Sequence, residues 1–374
     1  MIAKALFWGS LAGLAWTHAG YPLAAAAAAR VWGRPVRHGD VTPEVTLIVP
    51  AHNEEQVIGA RLDNLLEQDY PADRLAIVVA SDASTDGTDA IVEEIAAGGD
   101  GRVSLLRCPR GGKLAAINRS VRQTGGEVLA FSDANTRWQP DALRTLVRSF
   151  ADPDVGYVCG QLRLERADGT NKEGVYWRYE MWLRASESAL GSITGGNGAI
   201  YAVRRSDWVE HAYGQDLGLP DAMVKQHKRA VYEPAAVAFE KPSRHVEDEY
   251  HRKVRMLKWA WRHMLEGGML RGVTPVYLVE LVSHRVLRYA SGALHVVLLG
   301  TTVLLVSEGG VYALVGLGQA ALALLALAGR LGLPVPGAAL AHYYVLVSWS
   351  TVASLADYLR SGVPPVWDKA EGTR

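Results

Sequence analysis

Between residues 31 and 275, short apolar runs rich in β-branched residues alternate with stretches whose apolar residues recur every three or four positions. Residues 45–49 (VTLIV) read as a strand. Residues 54–68 put Val57, Ile58, Leu62, Leu65 and Leu66 on one face, which predicts a helix. The pattern repeats three times. Strands are expected at 75–80 (LAIVVA), 103–106 and 128–131. Helices are expected at 85–95, which Ser84 or Thr85 can cap, at 113–121 and at 139–150. Such alternation predicts an α/β domain with a mostly parallel sheet covered on both sides. Ligands in such sheets sit at the carboxyl ends of the strands.

Four other runs carry no formal charge: residues 5–29, 289–307, 309–329 and 331–356. A helix needs roughly 20 apolar residues to cross a bilayer, so each run is long enough. One N-terminal and about three C-terminal transmembrane helices are therefore expected. Short breaks separate the last three: Glu308 with two glycines, then Arg330, then Pro334 and Pro336. Tyr343, Tyr344 and Trp349 make the final run less lipid-like. A cleaved signal peptide is the alternative for the first run, because Lys4 precedes it and small residues end it. Against that, the run is long, and Arg30, Arg34 and Arg37 follow it, which places that side in the cytoplasm. The expected organisation is an N-terminal span at 1–30, a cytoplasmic α/β domain at 31–275, a membrane bundle at 276–360 and a tail at 361–374. Near 245–265, Arg252, Lys253, Arg255, Lys258 and Arg262 alternate with Val254, Met256, Leu257, Trp259 and Trp261. A helix of that kind suits the headgroup layer of the lipid bilayer. A plain surface helix is the simpler reading.

Composition sharpens this picture. Hydrophobic residues make up 49% of 374 residues beside 21% charged ones, so the apolar residues must be clustered, as they are. Acids and bases balance at 39 each. The balance gives no support for nucleic acid as a partner, since duplex binding leaves a basic excess. The two cysteines, Cys108 and Cys159, form no metal-ligand pair and no disulfide framework.

Polar clusters fall at three expected strand ends: Pro50-Ala51-His52-Asn53-Glu54-Glu55, the 81–88 turn (SDASTDGT), and Asp133-Ala134-Asn135. Each alone is ordinary turn chemistry. Together, in this order, they point to one crevice. Carboxylates such as Asp82 can accept hydrogen bonds from a base or ribose. Asp133 with Asn135 could hold a divalent cation, Mg²⁺ or Mn²⁺, alongside phosphate oxygens and waters. Arg110-Gly111-Gly112-Lys113 offers flexible backbone and a cation for phosphate next to a helix start. No G-x-G-x-x-G follows the first strand, which argues against a dinucleotide-dependent dehydrogenase.

VTLIVPAHNEE, SDASTDGT, RGGKLAAINRSV, EVLAFSDANTRWQPDAL and GNGAIYAVRRS together resemble the family-2 glycosyltransferases of GT-A fold, the nucleotide-diphospho-sugar transferases. The resemblance implies that Ala51, Asn53, Glu54, Asp82, Lys113 and Asp133 bind a nucleotide-sugar. It places Asp133 and Asn135 where the family keeps a metal-binding D-x-D. It also implies a catalytic base in an acidic pair that opens a helix. Gln215-Asp216 and Asp221 compete for that role, and the spacing to Val231-Tyr232-Glu233-Pro234 favours Asp216, with Gln215 in place of the usual first acid. A helix cap is the plain reading of Asp216. Polymerising members carry Q-x-x-R-W at the membrane face. Here Arg252 stands for the Gln, Arg255 matches the Arg and Met256 replaces the Trp. Residues 176–180 (YWRYE) are a candidate acceptor surface or simply core. Trp367 and the Gly-Thr-Arg end resemble the W-G-T-R ending of hyaluronan-type synthases.

The expected function is an inverting, metal-dependent glycosyltransferase at the cytoplasmic face of the inner membrane. Its partners would be a nucleotide-sugar donor, a glycan or lipid-linked acceptor and the bilayer, in exopolysaccharide or cell-envelope glycan synthesis. Single-sugar transfer to a polyprenyl-phosphate or glycolipid is a close variant. A sugar-phosphate nucleotidylyltransferase needs a basic, glycine-rich loop after the first strand, and PAHNEE is not one. A non-catalytic membrane scaffold would have no use for Asp82, Asp133 and Asp216.

Overall fold

The computed structural model describes residues 1–165, 174–210, 214–241 and 246–363, with backbone alone at 215 and 246–249. The chain forms two compact units. One holds residues 1–24, 245–266 and 278–363, the other residues 25–244 and 267–277. The chain opens with α1 (Ile2–Ala15), a π turn at Trp16–Gly20 and α2 (Tyr21–Trp32). Pro22 has no N–H to close on His18, and a wider turn just before it accommodates the loss.

The second unit is built on one eight-stranded sheet. Its elements in chain order are β1 (Val45–Ala51), α3 (Ile58–Leu66), β2 (Leu75–Asp82), α4 (Thr88–Gly98), β3 (Val103–Cys108), α5 (Lys113–Gln123), β4 (Val128–Phe131), β5 (Arg137–Trp138), α6 (Ala142–Val147), β6 (Val155–Leu164), α7 (Val175–Leu190), β7 (Tyr201–Arg204), α8 (Gln215–Lys225) and β8 (Arg229–Glu240). The strand order is β3-β2-β1-β4-β7-β6-β8-β5. Alternate residues of β1 feed two cores. Leu47 and Val49 join α3 in one, and Ile48 joins α5 in the other. A strand buried on both faces reads as an unbroken apolar run, and each such side chain contributes about 1.5–3 kcal/mol by leaving water.

The sheet is mixed, which corrects the mostly parallel expectation. β1, β2, β3 and β4 pair in parallel, but β7 runs antiparallel between β4 and β6, and β5 is antiparallel to β8. The strand–helix repeat that implies parallel crossovers ends at Phe131. Beyond it, β5 has only two residues, and the connection from β6 returns the chain in the opposite sense. The helix expected at 54–68 starts only at Ile58. Residues 53–55 are held instead by side chains of the neighbouring loop, which compete with helical bonds.

The remaining elements are α9 (Val246–Leu265), α10 (Pro275–Glu280), a π turn at Leu281–Val286, α11 (Leu287–Tyr289), α12 (Ser291–Leu305), α13 (Gly310–Arg330) and α14 (Ala338–Ser361). Among the described residues, two helices are long and apolar enough to cross a membrane, Ser291–Glu308 and Gly310–Arg330. The last expected run, 331–356, is displaced. Pro334 and Pro336 keep its start out of the helix, and Gly337, at φ 82°, caps α14. α14 turns Ser348, Ser350, Thr351 and Ser354 inward. There the Trp261 indole of α9 donates to Thr351 O at 3.2 Å and Ser354 Oγ at 3.1 Å. Lys258 of α9 pairs with Asp357 at 2.8 Å. The two π turns meet where Thr17 Oγ1 donates to Ser283 O at 2.7 Å.

Candidate functional site

The ends of β1 and β2 lie side by side, with Ala51 in register with Ser81. Their loops are stitched together. Asn53 adopts a left-handed φ of 54°, its N–H donates to Ser84 Oγ (3.1 Å), and its Oδ1 accepts from Thr85 N (2.7 Å). Glu54 N donates to Thr88 Oγ1 at 2.7 Å, and Glu55 Oε2 accepts from Gly87 N at 2.8 Å. Ala83, also left-handed at φ 53°, follows Asp82 directly. Such strain in a residue with a Cβ persists only where the surroundings enforce it. Ala51, Glu54 and Asp82 are buried, while Asn53 is partly open.

Asp82 faces the loop that follows β3. Its carboxylate accepts from the Arg110 guanidinium, from Gly111 N at 2.7 Å and from Gly112 N at 3.0 Å. His52 Nδ1 lies 2.8 Å from Asp82 O. The sequence offers both Asp82 and the 110–113 loop to a nucleotide. The structure adds that this carboxylate is what fixes the loop, and that Gly112, at φ 84°, lets the chain turn into α5.

Lys113, the first residue of α5, points at the end of β4 and forms an ion pair with Asp133. A Cβ built on Gly198 would lie 3.0 Å from Lys113 Nζ, 3.3 Å from Asp133 Oδ2 and 3.6 Å from Asp216 Oδ1. Residues from α5, the β4 turn, the 191–200 segment and α8 therefore surround one point. A methyl group at 198 would press on the Lys113 ammonium and the Asp133 carboxylate. Burial pulls the Lys113 ammonium down, but Asp133, Asp216 and Glu240 outweigh it and leave its pKa above the ordinary value. Burial, and then Asp216 and Asp133, push the Tyr201 phenol up. Gly196 N donates to Asp216 O at 2.6 Å, which ties the start of α8 to the same segment.

The Asp133–Asn135 turn is braced from behind. Ser132 Oγ and Thr136 Oγ1 share a hydrogen bond of 2.7 Å, and Thr136 Oγ1 donates to Asp133 O at 2.8 Å. Asn135 is partly open on the same turn.

The two competing acids of α8 have different settings. Asp216 lies in the first turn, beside Asp133 and Lys113. Asp221 is 2% exposed and accepts from Lys225 one turn later at 2.7 Å. The side chain of Gln215 and the Trp367-to-Arg374 ending lie outside the described residues. Arg252 and Arg255 are half-buried on α9, in the other unit. Trp177 of the 176–180 stretch packs on the core and donates to Leu162 O at 3.1 Å. Gly198 and His52 carry no role in the sequence reading. Both stand inside motifs, Gly198 in GNGAIYAVRRS and His52 in VTLIVPAHNEE, and that position is their signal in the sequence.

The family model described as Glycosyl transferase family 2 matches residues 46–212, from β1 to a point just short of α8. Residues 46–212, just under half of the chain, thus match the family 2 glycosyltransferases. The fold agrees with that match. A mannosyltransferase from Pyrobaculum calidifontis, solved with GDP-Man and Mn²⁺, superposes with TM-score 0.73 at 24% identity, over 96% of this chain and 99% of that one. That likeness establishes the GT-A fold. The β-monoglucosyldiacylglycerol synthase of Synechocystis sp. is 31% identical over 206 residues, covering 50% of this chain and 42% of the relative. An N-acetylglucosaminyltransferase of Rhizobium leguminosarum bv. viciae is 28% identical over 217 residues, covering 52% of this chain and 50% of the relative. The matches thus span half or less of these two relatives.

Proposed function

We propose that the chain is an inverting glycosyltransferase that moves a sugar from a nucleotide-sugar to a glycan or lipid-linked acceptor at the cytoplasmic face of a membrane. The observation that carries this reading is the meeting of Lys113, Asp133 and Asp216 around Gly198. Three charged groups drawn from separate elements have no packing reason to share one partly open point. A donor diphosphate with its cation gives them one.

Asp133 and Asn135 supply a carboxylate and an amide oxygen on one turn. Among the described residues no three acids, histidines or cysteines are grouped to hold an ion by themselves. The donor set therefore fits a hard cation that binds together with a diphosphate. Mg²⁺ and Mn²⁺ sites of this kind use one or two carboxylates plus phosphate oxygens and waters. Asp133 and Asn135 would hold the cation, which would supply positive charge for the departing diphosphate. Lys113 adds a second positive charge there. The loop fixed by Asp82, together with Asn53, frames the nucleotide. Asp216 takes the proton of the acceptor hydroxyl as that oxygen attacks the anomeric carbon. Attack opposite the leaving group inverts that carbon.

The long apolar helices support a bilayer-bound enzyme. Gly310–Arg330 has a mean hydropathy of 2.0 and only Ala326 of it is buried, which leaves a long apolar surface of the kind that marks an interaction or membrane face. Domain limits of 1–30, 31–275, 276–360 and 361–374 follow from this reading. Arg252 and Arg255 then belong to a helix at the headgroup layer that serves acceptor entry. Two observations favour single transfer to a lipid over polymerisation: the departures from Q-x-x-R-W, and the diacylglycerol in the Synechocystis relative's name.

Sealed membrane vesicles test the reading. Inside-out vesicles containing the chain, given UDP- and GDP-sugars in turn with Mg²⁺ or Mn²⁺, are expected to release nucleoside diphosphate from one donor. Right-side-out vesicles are expected to release none until opened. Equal release from both orientations contradicts the cytoplasmic placement. No release from any donor after detergent contradicts the transferase reading.

A further inference from the structure

Arg61 lies on the buried face of α3 beside Ile58, Leu62 and Leu65, and it is only 2% exposed. A buried cation is costly unless it is paired. Yet the hydrogen-bond partners of this guanidinium are neutral. Nη2 donates to Ser132 Oγ at 2.7 Å, and Nη1 donates to Asn64 Oδ1 at 2.5 Å. Its Cζ lies over the Trp138 ring, 5.1 Å from the centroid. Burial lowers its pKa to about 9 while the nearby Asp133 opposes that fall, so the group remains a cation at neutral pH.

Each contact leads to the site. Ser132 immediately precedes Asp133, and its hydroxyl is shared with Thr136, which holds the Asp133 carbonyl. Asn64 clamps the Trp138 backbone in both directions, accepting from its N–H at 2.8 Å and donating to its O at 3.0 Å. The Trp138 indole donates to Ala199 O at 2.9 Å, next to Gly198.

We propose that Arg61 is a positioning residue for the cation–diphosphate site, bracing the Asp133–Asn135 turn through Ser132 and the Gly198 wall through Trp138. The proposal rests on the transferase reading above. It assigns a task to a side chain that touches neither donor nor acceptor. The planar fork is what the task requires. A lysine could keep the charge, but its ammonium lacks the fork that reaches Ser132 and Asn64 from two separate nitrogens.

The test is Mn²⁺ binding by the full chain in detergent, with UDP and with GDP, read from the paramagnetic resonance of free Mn²⁺. Melting temperature is recorded alongside. Arg61→Met is expected to weaken Mn²⁺ binding about tenfold or more, the scale of losses seen when a ligand's support is removed. Ser132→Ala, a small change, is expected to weaken it severalfold with the fold retained. Arg61→Lys should recover only part of the loss. A raised Mn²⁺ activation constant with kcat restored at saturating Mn²⁺ would add support. Wild-type Mn²⁺ affinity in Ser132→Ala and Arg61→Lys, with only the melting temperature lowered, overturns the proposal, and those two variants decide even where Arg61→Met does not fold. A wild-type chain that binds no Mn²⁺ with either nucleotide overturns both the proposal and the reading beneath it.

Discussion

Asp216→Asn is expected to lower sugar transfer about 10²- to 10⁴-fold, the range a general base contributes, with little change in the donor's KM. The substitution keeps the size of the side chain and removes only its basicity. Asp216 stands in the first turn of α8, where a carboxylate gains about 0.3–1 kcal/mol from the helix dipole. Asn is itself tolerated at helix starts, so the fold should survive. The loss should appear in kcat, because donor contacts reside on other elements. Asp221→Asn is the internal contrast. It breaks the buried Lys225 pair and is expected to lower the melting temperature, with wild-type turnover per folded molecule. Calorimetric melting and initial rates on both variants check the pair. Full activity in Asp216→Asn would show that the base lies elsewhere.

Asp133→Ala is expected to be nearly as severe, about 10²-fold in kcat/KM or more. Stabilising charge on the departing group is worth several kcal/mol, and each 1.36 kcal/mol is a factor of ten in rate. The change removes the carboxylate of the cation site and the main partner of Lys113. Lys113 then retains Asp216 and Glu240, so its pKa should fall toward the ordinary lysine value. Isothermal titration of UDP and GDP with and without Mn²⁺ makes the prediction specific. Wild type should bind its nucleotide more tightly with Mn²⁺, and Asp133→Ala should show no such dependence. Undiminished Mn²⁺ dependence in the variant contradicts the assignment.

Much of the fold is legible in the sequence because β1 to β4 are nearly continuous apolar runs whose helices have clear periodicity. The three loops at their ends are equally visible, since turn residues announce themselves. β7 and β5 are not legible in this way. Four residues beside a glycine-rich segment and two residues beside a proline lack a period to read, and their antiparallel sense depends on partners far along the chain. At the site, sequence gives residue types but not the outcome of competition among them. Lys113 reads as a phosphate cation, yet the Asp133 carboxylate is within its reach. Asp82 reads as a nucleotide contact, yet backbone N–H groups of Gly111 and Gly112 converge on it. Arg61 does leave a trace, because a charged residue occupies the apolar stripe of α3. Its meaning emerges only when β4 brings Ser132 alongside.

Lys113, Asp133, Asp216 and Gly198 are expected to border the place that receives the donor's diphosphate. A crystal of the chain grown with Mn²⁺ and the nucleoside diphosphate of its donor, recorded at the manganese absorption edge, addresses this directly. The expected anomalous peak sits within bonding distance of an Asp133 oxygen and of the diphosphate, with Asp216 nearby at the Gly198 wall. A peak and nucleotide bound at some other surface, with Asp133 still turned to Lys113, would contradict the account.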